Sequence, residues 1–134
     1  MADLSINPVD VRNTGGRVIR KKAGENLSAG DQVYNFNTTH VKKGSSANET
    51  LAGLAGVTIN SAYTNQDVDL IADGTLTISA GNVTVGQIYC VSNTSGKFKP
   101  YGNMTTNETL SIFGVGATSA TVAISINRTG LTMP

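Results

Sequence analysis

Asn48-Glu49-Thr50-Leu51 recurs letter for letter as Asn107-Glu108-Thr109-Leu110, and the flanking sequence recurs with it. Behind each copy lies an apolar run with a Gly-Val step, Leu54-Ala55-Gly56-Val57-Thr58 in one and Ile112-Phe113-Gly114-Val115-Gly116 in the other. Ahead of each lies a Gly-polar-apolar-Tyr run, Gly30-Asp31-Gln32-Val33-Tyr34 and Gly86-Gln87-Ile88-Tyr89, preceded by Asn26-Leu27-Ser28-Ala29 and Asn82-Val83-Thr84-Val85. The pieces keep the same order in both halves. A repeat of this length marks two copies of one supersecondary unit, neither of which can bury its apolar face alone.

The spacing between apolar runs fixes what the unit is. Thr75-Leu76-Thr77-Ile78-Ser79 and Thr121 to Ile126 alternate strictly, so each has one buried and one wet face. Gly53 to Ile59 is almost continuously apolar, as a strand covered on both sides would be. Further strands are expected at Arg17 to Arg20, Gln32 to Phe36, Val68 to Ile71, Gln87 to Val91, Lys97 to Lys99 and Ile112 to Ala117, with Val41 returning in a hairpin. Ala80-Gly81-Asn82 is a turn into the second copy, and Ser92 to Gly96 is a hairpin loop by composition. Ser46-Ala47-Asn48-Glu49 and Thr105-Thr106-Asn107-Glu108 both fit the capping box and predict a single helical turn each, Gly53 ending the first. The fold class is therefore all-β: a small β-barrel or sandwich built from two similar β units, with at most one or two short helical turns. The repeat spans about residues 26–71 and 82–126 within a single domain over 21–134, and residues 1–20 form an extended N-terminal arm.

At 134 residues the chain is long enough for one core without staples. It has a single cysteine, Cys90, which reads as a small buried hydrophobe in a strand. The start shows neither a basic nor an apolar leader region, and no stretch approaches a membrane span, so synthesis in a cytoplasm and no membrane partner are expected. The Asn-x-Ser/Thr triplets at Asn26, Asn48, Asn82 and Asn107 read as by-products of composition.

Net charge is +1, which gives no general affinity for nucleic acid. The distribution is uneven: Arg12, Arg17, Arg20, Lys21 and Lys22 face only Asp3 and Asp10 in residues 1–22, leaving the rest of the chain slightly acidic. That basic stretch contains no aromatic to interleave with bases, so an acidic protein surface fits it better than nucleic acid.

Catalytic and metal chemistry find little to use. His40, the only imidazole, sits among Thr38, Thr39 and Lys42 in a hairpin, with no nucleophile elbow elsewhere. Asp67, Asp69 and Asp73 lie close together, but Leu70 and Ile71 occupy positions where a calcium loop needs oxygen ligands, so a solvated strand face and turn is expected. Gly15-Gly16 and Gly114-Val115-Gly116 lack the lysine and helix of a phosphate loop. No catalytic residue, metal site or cofactor is expected.

The succession Leu27-Ser28-Ala29-Gly30-Asp31-Gln32-Val33-Tyr34, Leu54-Ala55-Gly56-Val57-Thr58, the alternating Asp69 to Ser79 segment and Val83-Thr84-Val85-Gly86-Gln87-Ile88-Tyr89 resembles the small capsid decoration, or cement, proteins of tailed bacteriophages. Gly114 to Ser119 followed by a last strand extends the likeness, which covers about residues 24–127. The resemblance implies a β-barrel-like protein on the outer surface of an icosahedral head, a homotrimer at local three-fold positions that bridges neighbouring major capsid proteins, and a mechanical function without an active site. Arg12, Arg17, Arg20, Lys21 and Lys22 are the expected capsid-binding residues; this assignment comes from their charge, because the arm lies outside the likeness. Removal of residues 1–16 is then expected to weaken attachment and spare the fold. The alternative is a receptor- or glycan-binding β module of a phage tail or fibre, disfavoured by the absence of Trp and an aromatic content of 5%. A third is a small hydrolase or metal-dependent enzyme on Asp67, Asp69 and His40.

Overall fold

A computed structural model describes residues 3–78 and 82–134. The expected turn at Ala80-Gly81-Asn82 therefore lies, apart from Asn82, outside the described residues, as does Ser79. The described residues form eleven strands: β1 (Arg12–Thr14), β2 (Val18–Ala23), β3 (Gln32–Asn35), β4 (His40–Lys43), β5 (Leu54–Thr58), β6 (Asp67–Ile71), β7 (Thr75–Thr77), β8 (Ile88–Val91), β9 (Phe98–Pro100), β10 (Thr109–Thr118) and β11 (Thr121–Thr132). The fold is all-β, a closed five-stranded barrel packed on a six-stranded sheet.

The repeat is visible as topology. Around the barrel the strands run β4-β3-β5-β6-β2; across the sheet they run β9-β8-β10-β11-β7, with β1 added at the β7 edge. Each strand of the first series has its counterpart at the same place in the second. The unit thus begins earlier than the sequence identities, at β2 in one copy and β7 in the other. What differs is closure. In the first copy β2 pairs parallel with β4 through Lys22↔His40 and Ala23↔Val41. In the second, β7 instead takes β1 through Arg12↔Thr77, Asn13↔Leu76 and Thr14↔Thr75.

Two turns show why the repeated glycines stand where they do. Gly30 and Gly86 have φ of +91° and +81°, a left-handed conformation that glycine adopts without steric cost. Asp31 N–H donates to Ser28 O and Gln87 N–H to Thr84 O, 3.1 Å each, which closes both as type II-like turns. Gly30 N–H then reaches Thr58 O, and Gly86 N–H reaches Gly116 O, both at 2.8 Å. Each turn is hydrogen-bonded to the end of its own Gly-Val strand. In those strands a side chain at Gly56 would stand 2.6 Å from Ile71 O, and one at Gly114 would collide with Ala123 O. The Gly-Val step is therefore a close approach between neighbouring strands.

Two cores result. Val33, Val41, Val68, Leu70, Leu27 and Ala23 fill the barrel. Leu54, Val57 and Ile71 on its outer side meet Leu76, Tyr89, Val91, Phe98, Phe113 and Val122 of the sheet. The Phe98 and Phe113 rings stack with centroids 4.1 Å apart. β6 serves both cores, with Val68 and Leu70 in the barrel and Ile71 against the sheet, while β5 gives Leu54 and Val57 to the larger core. Hydrogen bonds across the seam join the copies: Gln32 N–H to Gly96 O, Gly96 N–H to Gly44 O, Ser46 N–H to Ser92 O and Thr109 N–H to Ser46 O.

The capping boxes do not produce the helical turns. Among the described residues the two short helices are 3-10 turns at Pro8–Asp10 and Tyr101–Asn103. Residues 48–52 close one turn, Ala52 N–H to Asn48 O, but Asn48 rather than Ser46 caps it, accepting from Leu51 N–H at 2.9 Å. At Thr105 to Glu108 the chain makes a tight turn with Asn107 at φ +73°, a conformation that ends helical winding and that asparagine tolerates.

Residues 3–16 are laid along the body. Leu4 N–H donates to Phe98 O at 2.7 Å, Ser92 donates its hydroxyl to Asp3 at 2.6 Å, and Asn82 reaches Ser5 O. Leu4 and Val11 are buried in the larger core. The segment is extended, as its sequence suggests, but it contributes to the packing instead of hanging clear of it.

Candidate interaction surface

The five basic residues fall into two groups. Arg12 lies on β1 and folds back on its own turn, donating to Val9 O at 3.0 Å and Val11 O at 2.8 Å. Arg20, Lys21 and Lys22 lie on β2, at the opposite layer of the fold, with Arg17 just before them. Arg20 and Lys22 point outward on the same strand face. Their register partners on β6 are Asp69 and Asp67, and each pair forms an ion bridge: Arg20 Nε–Asp69 Oδ1 2.8 Å with a second contact from Nη2 at 3.2 Å, and Lys22 Nζ–Asp67 Oδ1 2.6 Å. The hydrogen bond and charge of Lys22 hold the Asp67 carboxyl below its ordinary range. Lys21 donates to Thr38 O at 3.1 Å across the barrel mouth. Arg17 uses its backbone N–H on Asp73, 2.8 Å, and its side chain has no hydrogen bond or ion pair among the described residues.

The candidate basic patch is thus a cross-strand ladder of alternating charge flanked by two cations that pair with no carboxylate among the described residues, Arg17 and Lys21. Asp67 and Asp69, which the sequence places on one strand face, are that ladder's acidic rail. His40 is tied to its hairpin, Nδ1 2.7 Å from the Thr39 hydroxyl and Nε2 3.2 Å from Asn65 Oδ1. Among the described residues no three His, Cys, Asp or Glu side chains converge as metal ligands. Cys90 is buried, and desolvation pushes its thiol up to about 11, which suppresses the thiolate. Gly15-Gly16 makes a turn that Asn13 latches at both ends, Nδ2 to Gly16 O and Oδ1 from Gly16 N–H, 2.9 Å each.

Two features escaped the sequence reading. On the outer face of the sheet Ile88, Val115 and Ala123 are register neighbours on β8, β10 and β11, exposed, with Val85 exposed nearby in the chain. A bulge between Ile112 and Gly114 turns Phe113 inward and Val115 outward, so simple alternation places Val115 on the wrong side. The other feature lies inside the seam. Lys99 and Glu108 are almost fully buried and 2.7 Å apart. The Glu108 carboxylate also accepts from the Ser46 hydroxyl and from both the N–H and the hydroxyl of Thr105. Desolvation pushes this carboxyl up, but the hydrogen bonds from Lys99, Ser46 and Thr105 outweigh it and bring it down to about 2.

Neither protein-family models nor curated proteins yield a match to the chain.

Proposed function

We propose that the protein is a structural component of a virion, a decoration protein that binds the outer surface of an icosahedral phage head and stabilises it by bridging neighbouring major capsid proteins. The observation that supports this most is the ordered set of turn and Gly-Val elements resembling that family, which coincides with the strands and turns of two sheets of matching order. Their ladders, cores and seam form one body able to transmit load between contacts. A homotrimer at local three-fold positions would present three such bodies at once, and linked engagement raises effective concentration far above what one contact supplies. The reading involves no cofactor, membrane or nucleic acid.

The deciding measurement is the copy number of this chain relative to the major capsid protein in purified particles. A ratio near one, or a simple fraction set by three-fold sites, supports capsid decoration. A small minority of copies moves the protein to a tail or fibre, and absence from particles removes it from the virion.

If β2 faces the capsid, Arg17 beside it is a cation whose side chain has no described partner. Arg17→Glu is expected to lower occupancy on heads more at low salt than at high salt, because exposed charges are screened beyond about 10 Å at ~0.1 M salt. The melting temperature should stay unchanged, since the side chain supports no described contact. Occupancy equal to wild type at both salt concentrations takes Arg17 out of the interface.

A further inference from the structure

The barrel carries a groove of about 390 Å³. Its floor is the isolated bridge between Leu27 and Ala62, closed by Leu27 N–H to Ala62 O at 2.8 Å and Ala62 N–H to Leu27 O at 3.0 Å. Asn26, Lys43, Ser61, Tyr63 and Gln66 surround it. Tyr63 is 71% exposed, the most exposed large apolar side chain among the described residues.

The polar groups there are oriented by the backbone in one sense. Asn26 Oδ1 accepts from Thr64, N–H at 3.0 Å and hydroxyl at 3.2 Å. Gln66 Oε1 accepts from Tyr63 N–H at 2.8 Å. Ser61 Oγ accepts from Ala29 N–H at 3.0 Å. Each acceptor already takes part in local structure, and the wholly unused groups are donors: the Asn26 amide NH2, the Gln66 amide NH2 and the Ser61 hydroxyl hydrogen. None of these donors, nor the Lys43 ammonium, has a hydrogen-bond acceptor among the described residues. Fixed donors, a cation and an open aromatic face around one concavity suit a ligand rich in oxygen acceptors, negatively charged, with an apolar ring face to lay on Tyr63.

We propose that this groove is a binding site for a carboxylate-bearing saccharide, of which a hexuronate is the simplest case. The sugar ring stacks on Tyr63, its ring and hydroxyl oxygens accept from Asn26, Ser61 and Gln66, and its carboxylate is drawn by Lys43. Free phosphate would satisfy the charge but leave the ring unused, and a neutral hexose would satisfy the ring but leave Lys43 unused.

Capsid attachment and sugar binding are separable, so the test uses the isolated full-length protein. D-glucuronate, D-glucose and inorganic phosphate are each titrated while backbone amide shifts are followed by NMR. Saturable shifts confined to the segments around Asn26 and 61–66, tighter for glucuronate than for glucose, are expected. Tyr63→Ala should weaken glucuronate about tenfold with an unchanged melting temperature. Lys43→Met, which keeps the stem that packs over Gly96, should abolish the preference for glucuronate over glucose. No saturable shift with glucuronate overturns the site. So do shifts that survive Tyr63→Ala, equal affinity for glucose, or phosphate binding as tightly as the sugar acid.

Discussion

Replacing Lys99 by methionine is expected to cost about 3–5 kcal/mol of folding stability, the usual result of leaving one member of a buried ion pair without its partner. Methionine keeps the length of the stem, so little packing is lost and the effect reports on the stranded Glu108 carboxylate. Lys99 and Glu108 are each only a few per cent exposed and 2.7 Å apart, at the point where Ser46 of the first unit donates to Glu108 of the second. The loss should appear as a lower urea midpoint with little change in slope. Adding Glu108→Gln to Lys99→Met should recover much of it, because the amide oxygen can still accept from the Thr105 N–H and hydroxyl, the amide NH2 can donate to a rotated Ser46 hydroxyl, and the buried charge is gone. A midpoint for Lys99→Met within error of wild type would mean that water reaches the carboxylate and that the pair is not sealed.

The same carboxylate sets the acid limit. Its folded-state pKa is about 2 against an ordinary 4.5. A depressed carboxyl contributes stability that is complete above the unfolded value and is lost as pH falls through the folded one. The loss therefore runs from about pH 4.5 down to about 2 and amounts to about 3 kcal/mol, at roughly 1.4 kcal/mol per unit. Glu108→Gln should flatten that part of the stability–pH curve.

This pair also shows where sequence reading stops. Both turns, both Gly-Val strands and the alternating strands could be placed from apolar spacing, since strand periodicity and left-handed glycines are local properties. The duplication then implied matching strand orders. It could not say which copy would bury which charge. The pairs Val33↔Gly56 and Tyr89↔Gly114 align Tyr34 with Cys90, one residue off the tyrosine match in the sequence, so Tyr34↔Lys42 and Cys90↔Lys99 make Lys42 the counterpart of Lys99, and the repeated tetrapeptide makes Glu49 the counterpart of Glu108. In the first copy Lys42 lies over the exposed Phe36 ring at 3.9 Å and Glu49 is exposed. In the second copy both charges face the seam. The difference arises from what packs against each unit, a long-range contact with no local signature. A partial clue existed in Phe98-Lys99-Pro100, a lysine between two residues of a fully buried strand. The basic patch failed to stand out for a related reason: Arg20 and Lys22 read as uncompensated in order along the chain, and only the β2–β6 register sets Asp69 and Asp67 opposite them.

Deleting residues 1–16 is expected to destabilise the protein by about 3–6 kcal/mol, since fully burying a leucine or valine contributes about 1.5–3 kcal/mol each and Leu4 and Val11 are both in the larger core. The deletion also strips β1 from β7 and leaves a bare sheet edge, which invites association between copies. Against a total stability of roughly 5–15 kcal/mol for a domain, that loss should lower the urea midpoint by about a fifth at the least, or drive the protein into aggregates. This replaces the expectation of a separable arm, and it changes how attachment has to be tested. Empty heads after deletion would report a damaged body as readily as a missing contact. Leu4→Ala with Val11→Ala provides the control, removing the burial while keeping every charge and most of the chain. If that double variant matches the deletion in stability, the segment acts through its two apolar anchors. If it unfolds like wild type, the anchors carry no weight, and the first sixteen residues become available as a contact arm.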